Sequence, residues 1–303
     1  MRFVVIRTAQ AAASVWGAVT IVFLALHLAG NPAAIIAGPT ATAEQIRLIA
    51  VQLGLDRPLY VQYLAYLAHL VTGDFGFSYQ AQQPALAVFL SRLRYTAALA
   101  STGFTLALVL GLACGLLMAR FGGVVERILM AVVSGAQSLP SFWLGLLLIL
   151  IFSVTLHWLP SSGSESWKSM ILPTVTMASF LFPALARITR QSLLDELPSE
   201  YVRTARAKGM PDGLIWRKHL LRNAALPIVT IAALQLAYMI GGAVLTETVF
   251  AWPGVGQLTV QAVQQLDLPV VETIVIFAAV TFVGANLLAD LLYSVLDPRV
   301  TFR

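Results

Sequence analysis

Six stretches almost free of charge, residues 8–29, 95–119, 128–156, 170–186, 224–246 and 273–296, alternate with polar connections along the chain. A hydrocarbon core about 30 Å thick takes roughly 20 helical residues at about 1.5 Å each, so each stretch predicts a membrane-spanning helix. Asp290 is the one charge well inside any of them. Helix rather than strand follows from the lipid, where unpaired backbone groups find no water and six isolated strands close no barrel. Arg2 and Arg7 precede the first stretch, which is longer than the roughly 7–15 apolar residues of a signal peptide, and it reads as an uncleaved first span.

Two connections are longer than a chain reversal needs. In residues 30–94, Thr42 followed by Gln45 has the capping-box spacing and predicts a helix over 42–53 that Gly54 ends. An amphipathic stretch over 58–71, with Tyr60, Tyr63 and Tyr66, predicts a second helix in a compact cap on the outer surface, closed by the turn-rich Thr72-Gly73-Asp74-Phe75-Gly76. In residues 187–222, Ser199 predicts the cap of a short helix from Glu200 that Gly209 ends, and Pro211 starts a second short helix running to Arg222. Asn223 then caps the fifth span, with Pro227 in its first turn. The layout is a first segment 1–30, an external segment 31–94, a five-helix core 95–296 that includes the loop 187–223, and a tail 297–303.

Composition sharpens this picture. With 58% hydrophobic and 11% charged residues, the chain is an all-α polytopic membrane protein rather than a soluble one. A single cysteine, Cys114, excludes an intramolecular disulfide framework and a cysteine-cluster metal site. The net charge of +5 could suggest nucleic acid, but the cations sit in short segments between apolar runs. Counted by side, 14 lie on the face of the N-terminus and 5 on the other, the asymmetry of loops retained inside, so no nucleic acid is implied and both termini are expected in the cytoplasm.

The basic loop carries the densest charge. Arg203, Arg206 and Lys208 surround the small Ala205 and Ala207, a surface that fits close approach of a protein partner and equally fits lipid headgroups. At the outer end of the fifth span, Glu247, Phe250, Trp252, Pro253 and Gly254 fit a turn anchored by Trp252 or a gate touching substrate or a binding protein. Asp290 with Asn286 four residues earlier fits a helix-packing hydrogen bond or an intramembrane functional site. Ion-driven transport would need more intramembrane ionisable groups than Asp290. An intramembrane enzyme would need more than His27, His69, His157 and His219, which are scattered. No Gly-x4-Gly-Lys-Ser/Thr is present to hold ATP.

Tyr201-Val202-Arg203-Thr204-Ala205-Arg206-Ala207-Lys208-Gly209, followed by Leu221-Arg222-Asn223-Ala224-Ala225-Leu226-Pro227, resembles the coupling loop of ABC import permeases of the dipeptide, oligopeptide and nickel branch. It departs from the general importer pattern in lacking the glutamate of Glu-Ala-Ala-x3-Gly. Further blocks similar to that branch are Gly54 to Tyr63, Gly73 to Ser78, Leu139 to Gly145, Glu247 to Gly256 and Leu296-Asp297-Pro298-Arg299, in family order over nearly the whole chain. The resemblance implies a type I importer permease fold of six transmembrane helices with a cytoplasmic coupling helix, in a bacterial inner membrane. It also implies a second homologous permease, two cytoplasmic ATPases that bind the ATP and Mg, and a periplasmic solute-binding protein. The chain itself then has no catalytic or metal site. Arg203, Thr204, Ala205, Arg206, Ala207, Lys208 and Gly209 take the coupling role, and the cargo is a di- or oligopeptide, nickel or a metal–chelator complex.

Overall fold

A computed structural model describes the backbone of residues 2–28, 33–34, 41–52 and 54–296, and side chains there except at 2–6, 26–27, 237–238, 240–242 and 285–296. Residues 29, 53 and 297–303, at the ends of the first span, of the helix expected over 42–53 and of the chain, are therefore outside the described residues, as are the side chains of Asn286 and Asp290. In order come α1 (Arg2–Leu28), α2 (Ala43–Gln52), α3 (Leu59–Val71), β1 (Phe77–Ser78), β2 (Gln83–Pro84), α4 (Ala85–Phe121), α5 (Gly123–Ser138) and α6 (Ser141–Leu148). A π turn (Ile149–Thr155) and a 3-10 turn (Trp167–Met170) lead to α7 (Ile171–Glu196), α8 (Glu200–Ala207) and α9 (Asp212–Ile215). A second π turn (Trp216–Leu220) is followed by α10 (Leu221–Val249), α11 (Val255–Gln264) and α12 (Leu268–Leu296).

Among the described residues, Arg7–Ala25, Ala85–Phe121, Trp167–Glu196 and Asp212–Leu236 are long and apolar enough to cross a membrane. The third apolar stretch differs from the expectation of one helix. It is broken into α5 and α6, bent by 101°. Pro140 disfavours the helical region for the residue before it, and Leu139 is extended at φ −90°, ψ 129°. The last stretch lies in α12, which starts five residues before the expected Thr273.

Two compact units make up the chain: residues 1–94 with 254–284, and 95–253 with 285–303. In the first, α1 meets α3 through Phe23, whose ring lies 5.2 Å from Tyr63 and 5.4 Å from Tyr66, and Thr20 Oγ1 lies 2.6 Å from Tyr63 Oη. The expected capping box opens α2: the Thr42 amide donates to Gln45 Oε1 at 2.8 Å, and the Gln45 amide to Thr42 Oγ1 at 3.4 Å. Gly54 ends it with φ +67°. The antiparallel β1–β2 hairpin is tied by Ser78 Oγ, which donates to Asp267 Oδ2 at 2.5 Å. Behind it, Phe89 stacks on Phe277 at 4.5 Å in a core with Val88, Leu258 and Ile274. Asp74 accepts the Gly76 amide and faces His69 at 2.9 Å, contacts that hold its carboxyl below the usual range.

In the second unit α10 packs on α7, and α4 meets α7 along small residues spaced by four: Gly103, Ala107, Gly111 and Gly115. A Cβ at Gly111 would stand 2.5 Å from Leu185 Cβ. One at Gly115 would stand 2.5 Å from Thr189 Cβ and 2.7 Å from the Ala186 carbonyl oxygen. This is the close backbone approach that small-xxx-small spacing gives helices in lipid, where water drives no association. Leu99, Met118, Leu181, Leu185 and Met239 fill the core beside it.

Candidate functional site

The basic loop is built as a corner on the end of α7. Glu196 closes that helix, and α8 begins at Glu200 after a short turn. Ser199 occupies the N-cap position as expected but does not cap through its side chain. Its hydroxyl instead donates to the Glu196 carbonyl at 2.6 Å, fixing the turn rather than the helix start. Gly209 ends α8 with φ +76°. The Met210 amide reaches the Ala205 carbonyl at 3.1 Å and the Gly209 amide the Arg206 carbonyl at 2.9 Å, the two bonds of a Schellman motif.

Beyond Pro211 the structure departs from the expected layout. Residues from Asp212 continue through α9 and the π turn into α10 without a break, so Asn223 caps nothing and Pro227 lies inside the helix. The Leu220 backbone is helical at φ −63°, ψ −54°, leaving no cap position before Asn223. What was expected as a separate short helix is the lower end of the fifth span.

This corner has its own core. Val202 and Ala205 of α8 pack with Leu193 of α7, Ala119 of α4, and Ile215, Trp216 and Leu220 of the limb below α10. Arg120 sits over the Trp216 ring at 5.6 Å. Tyr201 Oη donates to Glu196 Oε2 at 2.6 Å, and burial, ahead of that bond, raises its pKa. Arg206 Nε lies 3.4 Å from Asp212 Oδ1, tying α8 to α9 across the Gly209 turn.

Of the residues expected at the coupling face, Arg203, Thr204, Arg206, Ala207, Lys208 and Gly209 are exposed on one side of α8, whereas Ala205 is 7% exposed and turned inward. Its small side chain lets α8 seat on the corner's own core, and only Ala207 leaves space on the open side. Nothing lies within 4 Å of a Cβ built at Gly209. Neighbouring elements carry contacts that reading the loop alone missed: Arg190 of α7 pairs with Glu126 of α5, Nε to Oε1 at 2.8 Å, and Arg187 donates to Gln137. For the first contact the available signal was Glu126 just before the apolar run 128–156 and Arg190 just after the run 170–186.

The corner at the C-terminal end of α10 is closed rather than open. Glu247 is fully buried and accepts the Thr96 hydroxyl at 2.7 Å. Phe250 and Trp252 are buried, and Trp252 Nε1 donates to the Tyr95 carbonyl at 3.0 Å, so Trp252 anchors the corner to the core of its unit and not to a surface. The reversal is made at Ala251, φ +45°, ahead of Pro253, while Gly254 opens α11. Among the described residues no group of three or more His, Cys, Asp or Glu could hold a metal.

Residues 107–302 match the family described as binding-protein-dependent transport system inner membrane component, and residues 1–100 match the N-terminal companion of that family. The chain is similar to the glutathione transport system permease protein GsiC of Escherichia coli (strain K12), at 40% identity over 285 residues, 93% of each chain. The GsiC of Shigella flexneri serotype 5b (strain 8401) matches at the same identity and coverage. Among solved structures, an inward-facing MetNI methionine ABC transporter chain superposes with a TM-score of 0.58 at 22% identity, over 69% of this chain and 96% of that one. A chain of an amino acid ABC transporter gives 0.56 at 16% identity, over 68% and 93%. These two likenesses concern the fold alone.

Proposed function

The chain belongs to the binding-protein-dependent transport system inner membrane components, and on that premise we propose that it moves a short peptide of glutathione's kind inward when ATPase subunits push on α8. As a multi-pass permease of an ABC importer it works with ATPase and binding-protein partners. The finer assembly we assign is one chain paired with a homologous permease, two cytoplasmic ATPases beneath the loop, and a periplasmic binding protein on the far side. Both termini and the loop 187–222 lie in the cytoplasm in this reading. Nickel and metal–chelator cargo are the other classes carried in the branch that the motifs resemble. The peptide is preferred because the curated relatives matched over 93% of their length are named for glutathione.

One observation carries the coupling role. Helix α8 rests through Val202 and Ala205 on a limb that is continuous with the fifth span from Asp212, so a push on its exposed basic face is delivered to a spanning helix without a loop between. The outer cluster of Glu247, Phe250 and Trp252 then serves as a fixed corner of the moving body. The test is the full transporter in proteoliposomes with Gly209→Val. A β-branched side chain at φ +76° strains the Schellman turn although the space around it is open. The complex is expected to assemble and hydrolyse ATP while uptake of labelled glutathione falls. Uptake still coupled as in the parent sinks the role of α8. Saturable uptake of free nickel with none of peptide overturns the cargo.

A further inference from the structure

We infer that the π turn Trp216–Leu220 is a register joint in the driven helix, and that His219 is the residue that positions it. This rests on the coupling role proposed for α8. Two observations meet on these five residues. First, the turn lies inside a helix that is regular on both sides, α9 before and α10 after. The other π turn, Ile149–Thr155, ends its helix in a loop, where widening is unremarkable for a terminus. A π turn within a helix holds one residue more than the α ladder needs, a feature found often at functional sites. Second, His219 Nε2 is enclosed and has no hydrogen-bond partner, in a family of groups that folded proteins nearly always satisfy.

An unpaired enclosed nitrogen makes this arrangement costly, which is what one end of a two-state element looks like when the other end supplies the missing partner. The His219 ring packs against Tyr201, ring centres 6.2 Å apart, and the Tyr201 hydroxyl is engaged with Glu196. A π turn travels along a helix by exchanging i→i+5 bonds for i→i+4 bonds, and each residue it passes turns by about 100°. Passage past His219 turns its ring by about 100° out of this enclosed place beside Tyr201, to where water can pair with Nε2. Trp216 and Leu220, buried on either side, hold the joint in the core of the corner, while Arg217 and Lys218 stay exposed. The push on α8 thus changes the register of the limb against α10 as well as displacing it.

The experiment uses the complete transporter, with its ATPases and binding protein, in proteoliposomes. His219→Phe keeps an aromatic ring and removes the nitrogen, whereas His219→Gln keeps a hydrogen-bonding group. Phe is expected to lower solute moved per ATP hydrolysed by about five- to tenfold, the ratio one net hydrogen bond corresponds to, and Gln to recover most of it. Parent-like coupling in the Phe variant, or equal loss in both, overturns the positioning role. A second measurement leaves His219 in place: in a Cys114→Ser background, spin labels on Lys218→Cys in the turn and Val229→Cys beyond it, both exposed positions, report the facing of a residue that the turn passes. A turn of about 100° carries a side chain around the helix, so a shift of about 5 Å or more between nucleotide-free and ATP-bound transporter is expected, and an unchanged distance overturns the joint. If Gly209→Val leaves coupling intact while this distance still shifts, the push through α8 fails and the joint stands. If Gly209→Val uncouples and the distance is constant, only the joint fails.

Discussion

Glu247 has no exposed surface, and the Thr96 hydroxyl 2.7 Å away is one of the groups that replace its water. Removing a donor from a buried acid costs more than the bond contributed, because the carboxylate stays desolvated. Thr96→Val, which keeps the shape, is expected to destabilise the unit by about 1–3 kcal/mol, seen as a lower Tm in detergent, and Thr96→Ser to retain the parent value. Equal Tm for all three contradicts the assignment. At this scale, what the sequence made legible was what depends on near neighbours. Thr42 with Gln45, Gly54 and Gly209 behave as their spacing demands, because caps and left-handed turns are settled within about five residues. Ser199 obeys the same rule only in position, since a carbonyl three residues back competed for its hydroxyl. Ala205 and Trp252 could not be placed from sequence. Which side of a short helix or corner faces inward depends on partners more than 100 residues away in the case of Tyr95 and Trp252.

Helix against helix, the decisive contact is that of α4 with α7. Gly115 has no room for a methyl: its neighbours at 2.5 and 2.7 Å are a Cβ and a backbone carbonyl, neither of which can rotate away. Gly115→Ala is expected to force the helices apart at a cost of about 1–3 kcal/mol, with Gly115→Leu lost from the membrane fraction. Gly135 in α5 has nothing within 4 Å, so Gly135→Ala is expected to be neutral or to stabilise by up to about 1 kcal/mol through helix propensity. Quantitative blotting and thermal unfolding of the two variants side by side check the contrast, and equal tolerance at both positions would remove the close approach. The stripe Gly103, Ala107, Gly111, Gly115 was readable as a four-residue repeat of small residues, yet hydrophobic run length alone passes over it. Run length also fused α5 with α6 across Pro140, and it detached Asp212–Leu220 from α10 because charged residues interrupt the apolar pattern while the backbone stays helical.

For the molecule as a whole, orientation is set by charge, and here the signal in the sequence is strong because it needs no packing. The 14 cations expected on one face include Arg217 and Lys218 of the exposed limb, and the 5 expected on the other include Lys168 in the 3-10 turn before α7. One candidate span, α7, separates these two positions, so the reading of both termini as cytoplasmic stands or falls with the side on which each is found. Single cysteines test it, since Cys114 is the one native thiol and its replacement by serine leaves a clean background. A membrane-impermeant maleimide is expected to label Lys168→Cys in intact spheroplasts and Lys218→Cys only after the membrane is opened. Lys168 and Lys218 side chains are both exposed, so a failure to label reflects the side of the membrane and not burial in the chain. The reversed pattern would put the exposed face of α8 outside the cell, where no ATPase could push it, and would remove the physical basis for coupling through Gly209.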